Sequence, residues 1–188
     1  MKLTASIIGA LTLAAAAASS AHAVTYEGTL SNGASMPGTI GGFSWEDEDA
    51  AQADFWRFGG SAGDTVTIAV TRSDFGLDPA MTLYFGTTAA DGSLFRNDAD
   101  WGGLVYLNLA DDEVEHAGPG GDPMFESFVL PFAGDYTVAI GGITSLTNGP
   151  YDYTVMFNAV PIPEPMTAAM LLGGLALLGA VRRKQRRD

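Results

Sequence analysis

Apolar residues recur at short, regular intervals along the chain, with the period of β-strands rather than of helices. Six stretches alternate or are uniformly apolar over the length of a strand: residues 64–70, 81–85, 104–109, 125–130, 136–140 and 151–157. In the first of them, Val66, Ile68 and Val70 fall on one face, because successive side chains of a strand point to opposite sides. These stretches predict strands that place one face in a core.

Turn-forming dipeptides separate the predicted strands, among them Asn32-Gly33, Asp91-Gly92 and Asn148-Gly149. Glycine and asparagine adopt the backbone conformations that tight turns require, so these pairs mark strand ends. Between the two termini, no window has the three-to-four-residue spacing of an amphipathic helix. The sequence therefore predicts an all-β fold of about eight short strands, forming a single antiparallel β-sandwich with jelly-roll-like connections.

The N-terminal segment, residues 1–23, departs from the strand pattern. Lys2 is followed by an apolar run from Leu3 to Ala18, and Ala21 and Ala23 have the spacing of a small-x-small cleavage site. This order is that of a secretory signal peptide. We predict cleavage before Val24, after export through the Sec translocon.

The C-terminal segment, residues 160–188, has three parts in a fixed order. Pro163-Glu164-Pro165 comes first, then an apolar helix predicted over residues 166–181, then a basic tail that begins with Arg182 and Arg183. At about 1.5 Å per residue the helix covers roughly 24 Å, against about 30 Å of bilayer core. Because basic residues stay on the cytoplasmic side, the segment predicts a short membrane helix with its tail inside.

These C-terminal features resemble the PEP-CTERM sorting signal of Gram-negative bacteria. The resemblance rests on residues 160–165, on the apolar helix and on the arginine cluster at the extreme C-terminus. It implies that a membrane-embedded exosortase recognises and removes the tail. The protein would then be anchored transiently in the inner membrane before reaching the cell surface or extracellular matrix. The alternative is an ordinary tail anchor that stays in the membrane.

Between the two processing segments lies a domain, residues 24–159, with a strongly acidic balance. It holds 20 acidic residues against three arginines, a formal net charge of −17. Such a surface repels phosphate backbones, which excludes nucleic acid as a partner, and it attracts divalent cations. The chain has no cysteine, and His116 is the domain's one histidine. Cysteine nucleophiles and zinc clusters are therefore excluded, and we predict a non-enzymatic protein.

The region from Asp54 to Phe157 resembles the bacterial pre-peptidase C-terminal domain, a small β-sandwich found beside secreted proteases and on surface proteins. The matching segments are residues 54–58, 62–68, 78–84, 92–98, 130–142 and 149–155. The turn and strand Ala133-Gly134-Asp135-Tyr136 is the most characteristic of them. Since some members of that family bind calcium through loop carboxylates, the resemblance makes calcium a candidate ligand.

Oxygen ligands for calcium occur in two loops of the sequence. Asp98 and Asp100 offer carboxylates at alternate positions, just before two glycines that let the backbone turn. Asp78 precedes a proline, which stiffens the loop that presents it. The alternative is that these aspartates only cap turns. Sugars bind by stacking on exposed indole rings. Of the tryptophans, we expect Trp101, which lies beside the acidic loop, to be exposed and to provide such a ring.

Three functions follow from these observations. The first is an exported, exosortase-sorted surface or matrix protein, non-enzymatic, associated with a biofilm or an extracellular polysaccharide. The second is a calcium-dependent module that binds carbohydrate or protein. The third is a hydrolase with a carboxylate pair drawn from Asp98, Asp100 and Glu126, which requires the two groups to face each other across a cleft.

Overall fold

Two β-sheets form the folded part of the chain. The structure is a computed structural model that describes residues 23–146, 149–162, 170–175 and 182. Its strands, in chain order, are β1 (Tyr26–Thr29), β2 (Ala34–Ile40), β3 (Asp54–Gly60), β4 (Thr65–Arg72), β5 (Leu77–Phe85), β6 (Val105–Ala110), β7 (Met124–Val129), β8 (Gly134–Ser145) and β9 (Tyr151–Val160). One sheet has the order β1-β3-β8-β5-β6 and the other β2-β9-β4-β7. The predicted two-sheet β-sandwich is confirmed.

Alternation of side chains explains the core between the sheets. Along β9 the residues Tyr151, Tyr153, Val155 and Phe157 are buried, and each residue between them is exposed or half-buried. Strand β4 lies beside β9 and buries Val66, Ile68 and Val70 on the same side. These side chains meet residues of β3, β5 and β8 from the other sheet, such as Phe58, Leu83 and Val138. The burial of this apolar surface is the main favourable term that holds the two sheets together.

The five-stranded sheet is covered on its outer face as well. The segment between β5 and β6 folds over that face and packs Phe95, Trp101 and Leu104 against Phe55 and Tyr84. Phe95 and Trp101 have ring centroids 5.4 Å apart at an angle of 72°. Eight of the nine residues of β5 are therefore buried, and alternation is lost there. The sequence of a strand that is buried on both faces is a nearly continuous apolar run rather than an alternating one.

Three of the nine strands are not among the six stretches predicted from the apolar pattern, and one pairing differs from the wholly antiparallel sandwich we expected. Strand β3 was indicated only by residues 54–58 of the pre-peptidase resemblance, whereas β1 and β2 were not predicted. Strand β1 has four residues, and β2 carries Pro37 and Gly38, which are both unfavourable in strand interiors. Strand β2 lies at a sheet edge, where proline is tolerated. Strand β1 pairs with β3 in parallel. Between β1 and β3 the chain passes through β2, which belongs to the other sheet. It therefore crosses between the sheets twice, and β3 runs in the same direction as β1.

The two processing segments fall largely outside the described residues. Residues 1–22 at one end, and 163–169, 176–181 and 183–188 at the other, are among those the structure does not describe. Residues 170–175 are helical and exposed. Within the described part of the chain, no helix combines the length and hydropathy that a membrane crossing requires. The predicted helix over residues 166–181 and the motif at residues 163–165 stay predictions.

Candidate functional site

Three aspartates converge where β6 ends beside the start of β5. Each of Asp78, Asp111 and Asp112 contributes one carboxylate oxygen, and these oxygens all lie within 4.8 Å of one another. Asp78 is buried, Asp111 is half-buried and Asp112 is exposed, so the group opens to solvent on one side. Among the described residues, this is the one group in which three or more acidic, histidine or cysteine side chains lie close enough to share a metal ion. We call it the carboxylate triad.

Strand pairing brings the triad together from positions far apart in the sequence. Strands β5 and β6 are antiparallel, with Met81 opposite Ala110. Asp78 lies three residues before Met81, and Asp111 follows Ala110 directly. In an antiparallel pair, residues that precede one strand position lie beside residues that follow its partner. The side chains therefore meet at one edge of the fold, although more than 30 residues separate them along the chain.

Two of the triad oxygens are buried without a hydrogen-bond donor. Oδ1 of Asp78 and Oδ1 of Asp111 accept no hydrogen bond from the described residues. Asp78 itself is only 8 % exposed. A buried polar atom left unpaired costs about 1 to 3 kcal/mol, and more when it is charged. Oδ1 of Asp112, by contrast, accepts a short hydrogen bond from the Gly121 amide.

Burial and mutual repulsion disfavour the charged form of these carboxyls. Burial, together with the nearby charges of Asp112, Asp78 and Glu113, raises the pKa of Asp111 to about 6. Burial and Asp112 also raise the pKa of Asp78, against a lowering effect of Arg72. Opposite charge close to the triad would reverse this shift, because it favours ionised carboxylates.

A buried ion pair fixes the segment that closes over the triad. Arg72 Nε donates to Asp122 Oδ1 at 2.7 Å, and the remaining guanidinium donors bind backbone carbonyls. Asp122 and Val114 exchange two backbone hydrogen bonds of 2.8 and 3.0 Å, which close the segment between them into a loop. Because Arg72 pairs with Asp122, its guanidinium forms no ion pair with the triad. The triad's charge is therefore not neutralised by a contact with a basic side chain of the described residues.

The sequence prediction named one triad member and missed two. Asp78 was a predicted calcium ligand, whereas Asp111 and Asp112 were not candidates. The predicted ligands Asp98 and Asp100 are exposed and lie outside the triad. Asp100 Oδ1 accepts a hydrogen bond from the Tyr106 amide at 2.7 Å, as a turn-capping aspartate does. Asp111 and Asp112 could have been found from the antiparallel pairing of β5 with β6. The spacing of residues along the sequence does not reveal that pairing.

Trp101 differs from the exposed ring that the sequence led us to expect. It is 5 % exposed and packs against Phe55, Tyr84 and Phe95. The expectation of exposure is wrong because Trp101 lies in the segment that covers the outer face of the five-stranded sheet. Trp45 is 7 % exposed and is buried as well. Neither ring presents a free face on which a sugar would stack.

The residues considered for catalysis are exposed and dispersed. His116 lies in an exposed loop, and Glu126 is exposed on β7. Two surface clefts, of about 450 and 480 Å³, are lined by other residues. Neither includes Asp98, Asp100 or Glu126. Neither of these clefts therefore supports the carboxylate-pair hydrolase.

Both clefts share one buried acid, Asp54, whose contacts are structural. Asp54 Oδ2 accepts hydrogen bonds from the Tyr153 hydroxyl at 2.7 Å and from the Thr39 amide at 3.1 Å. The Tyr153 oxygen accepts in turn from Trp56 Nε1 at 2.7 Å. Burial raises the pKa of Asp54 to about 6, although the hydrogen bond from Tyr153 lowers it. This chain of bonds joins β3 to β2 and β9, and so ties one sheet to the other.

The predicted processing residues lie at the margins of the domain. Ala23 is exposed and forms an isolated bridge with Asp91, and the Val24 amide donates to Ala90 O at 3.1 Å. Arg182 is exposed. The other residues named for processing, Ala21, Pro163-Glu164-Pro165 and Arg183, lie outside the described residues, and their roles stay predictions.

Comparison with known proteins identifies a shared fold. No family model and no curated protein matches this sequence. Among solved structures, it is similar to CorA of Methylomicrobium album BG8, a surface-associated copper-binding protein important in copper acquisition. The two are 16 % identical with a TM-score of 0.55, and the match covers 73 % of this chain and 99 % of CorA. At this identity the similarity establishes the fold alone.

Two further matches are weaker. The secreted protein MopE of Methylococcus capsulatus, in which an oxidized tryptophan facilitates copper binding, is 13 % identical with a TM-score of 0.49, over 71 % of this chain and 87 % of MopE. The pre-peptidase C-terminal domain of Bacillus anthracis collagenase is 14 % identical with a TM-score of 0.39, over 71 % and 97 %. These scores are too low to carry an argument about relationship. The β-sandwich is shown by the two sheets of this structure itself, and the closer resemblance to the pre-peptidase domain stays a prediction.

Proposed function

We propose that this chain is an exported, non-enzymatic protein of the cell surface or extracellular matrix, released from its membrane tail by an exosortase. A signal peptide precedes the domain and a PEP-CTERM-like segment follows it. The acidic surface keeps the exported domain soluble and favours cations or basic partners. A role in a biofilm or polysaccharide layer is part of this proposal.

The observation that carries the proposal is the position of the folded core relative to both processing segments. The buried apolar side chains of the described residues all lie between Leu30 and Phe157. Val24, the residue after the predicted cleavage, is half-buried against the aromatic cluster on the outer face of the five-stranded sheet, while Ala23 before it is exposed. At the other end, β9 ends at Val160, which is 67 % exposed. Cleavage on either side of the domain therefore removes no strand and no core residue.

A second candidate, a cation-binding module, is favoured by the carboxylate triad. CorA and MopE are described as copper-binding, but copper prefers imidazole and sulfur ligands, and the triad supplies only carboxylate oxygens. Oxygen ligands suit hard cations such as calcium. This candidate is compatible with the exported role, because a binding module on a surface protein needs no catalytic group.

Mass spectrometry of the protein from its native host tests the exported role. We expect an N-terminus at Val24 and a C-terminus that lacks the basic tail. In a strain without exosortase, the tail should be retained and the protein should accumulate in the inner membrane. Replacing Pro163, Glu164 and Pro165 together by alanine should have the same effect, whereas Asp188→Asn at the terminus should not.

The remaining outcomes each decide against part of the proposal. A mature protein that keeps its tail in the wild-type strain would identify an ordinary tail anchor. A chain found in the cytosol with both ends intact would overturn the exported role.

A further inference from the structure

We propose that Asp78, Asp111 and Asp112 bind one calcium ion, which joins the segment after β6 to the first residues of β5. This inference rests on the second candidate function, the cation-binding module, and names its ion and its ligands; it does not depend on how the termini are processed. It rests on the positions, the burial and the uncompensated charge of the triad.

The orphaned oxygens point to a ligand in the triad. Asp78 is more than nine-tenths buried, and one of its oxygens lies within 4.8 Å of an oxygen from each of the other two carboxylates. Neither Oδ1 of Asp78 nor Oδ1 of Asp111 accepts a hydrogen bond from the described residues. Buried carboxylate oxygens are normally hydrogen-bonded or coordinated to a metal. A cation held among the three carboxylates would account for these unpaired oxygens.

Charge favours a divalent cation. Three carboxylates meet in the triad, and the nearby arginine is already paired with Asp122. The segment from Asp111 to Asp122 contains no lysine or arginine, and Glu113 is a further acid in it. Glu113 Oε2 accepts from the amides of Asp111 and Met124 at 2.9 and 3.0 Å, which leaves it a loop-closing role. A divalent ion would offset the mutual repulsion of these carboxylates.

The type of ligand atom selects among divalent ions. The triad has neither histidine nor cysteine, so zinc and copper lack their preferred nitrogen and sulfur ligands. Calcium accepts six to eight oxygen ligands in irregular geometry, and water completes its shell on an open side. Magnesium demands a near-ideal octahedron and keeps most of its own water. The exposed Asp112 side of the triad suits the ion with the more flexible shell.

The backbone at Gly120 lies close to two of the carboxylates. A Cβ at this position would lie 2.1 Å from Asp78 Oδ1 and 2.7 Å from Asp112 Oδ1. The residue also has φ of +60°, which glycine adopts without strain. A side chain here would displace the same oxygens that we assign to calcium. The glycine allows the loop to approach the triad closely.

Isothermal titration calorimetry of the full chain in detergent, after treatment with EDTA, tests the proposal directly. We expect one calcium site, with a dissociation constant in the range of about 0.1 to 1 mM that is typical of extracellular modules. Asp78→Asn and Asp111→Asn should each weaken binding about tenfold or more, because a neutral amide oxygen is a poorer ligand for a cation. Asp98→Asn and Asp100→Asn, in the other acidic loop, are the matched controls and should bind like the wild type.

Thermal unfolding separates a ligand role from a merely structural one. In EDTA, Asp111→Asn should raise the melting temperature, because it removes a repelling charge from the triad. With calcium above its dissociation constant, the wild type should gain stability that rises with the logarithm of the calcium concentration, and Asp111→Asn should gain little. A variant that only damages the fold would lose stability under both conditions.

Four results would overturn the proposal. The first is no binding heat and no melting shift with calcium up to about 10 mM, an order of magnitude above the expected range. The second is calcium binding that survives Asp111→Asn and is lost in Asp98→Asn or Asp100→Asn. The third is tighter binding of magnesium than of calcium at these residues. The fourth is copper binding that the triad variants abolish.

Discussion

Arg72 and Asp122 form an ion pair that is almost wholly removed from solvent. Arg72 Nε lies 2.7 Å from Asp122 Oδ1, and the two side chains are 0 % and 2 % exposed. The other guanidinium nitrogens donate to the carbonyls of Leu77, Pro119 and Gly121. One side chain of β4 thereby fixes the end of the loop that closes over the triad.

We expect Arg72→Met to lower the free energy of unfolding by about 3 to 5 kcal/mol, since it leaves the Asp122 carboxylate buried without a partner. The exposed pair of Arg96 with Glu48, at 3.2 Å, is the matched control. Arg96→Met should cost less than about 1 kcal/mol. Urea unfolding in EDTA measures both.

The double variant Arg72→Met with Asp122→Leu separates charge from packing. Because it removes both charges, it should be more stable than Arg72→Met alone. Equal stability of the two variants would show that the unpaired carboxylate is not the source of the loss.

Asp54 predicts a specific dependence of stability on pH. The unfolded side chain titrates near 3.8, and burial raises the pKa in the folded state to about 6. The folded state therefore holds this proton more tightly, and the associated stability is fully present below pH 3.8 and lost as the pH rises through about 6. Asp54→Asn, which stays neutral, should gain melting temperature relative to the wild type between pH 4.5 and pH 7.5.

Tyr153→Phe provides the directional test of this account. The Tyr153 hydroxyl donates to Asp54 and lowers its pKa, so its removal should move the pH transition upward. A melting difference between Asp54→Asn and wild type that stays constant across this range would contradict the raised pKa.

Gly38 on β2 is covered by an aromatic ring of β9. It lies opposite Tyr153, and a Cβ there would come within 2.3 Å of the tyrosine Cζ and hydroxyl oxygen. Gly38→Ala should therefore displace Tyr153 and cost about 1 to 3 kcal/mol. Gly59→Ala is the matched strand control, since its nearest neighbour would be Asp135 Oδ1 at 3.7 Å, and it should change stability by less than about 1 kcal/mol. Similar losses for both would show that close packing on Tyr153 is not the reason.

Alternation predicted the strands with one covered face and failed where that condition is absent. In β4 and β9 the buried residues are every second one, and the sequence showed them. In β5 almost every residue is buried because a loop covers the second face, so only a short apolar run was visible. Strand β2 has small side chains and Pro37, which hide a strand from any hydrophobic pattern.

The candidate site shows the same limit. Carboxylates close together in one loop, such as Asp98 and Asp100, are visible to a local reading of the sequence. The triad joins Asp78 to Asp111 through the pairing of β5 with β6, and a contact between distant segments leaves no local signal. Sequence reasoning therefore named one member of the triad, Asp78, and two aspartates, Asp98 and Asp100, that lie outside it.

A role of Trp101 in sugar binding and a role in core packing predict different effects of Trp101→Ala on stability. With 5 % exposure and three aromatic neighbours, Trp101 stabilises the layer outside the five-stranded sheet. Trp101→Ala should lower the free energy of unfolding by about 3 to 5 kcal/mol, as for a large buried ring. Phe75→Ala, at a ring that is 62 % exposed, should cost less than about 1 kcal/mol. If Trp101→Ala instead left urea unfolding unchanged and abolished binding of a polysaccharide, the ring would be a sugar platform and the packing described here would be wrong.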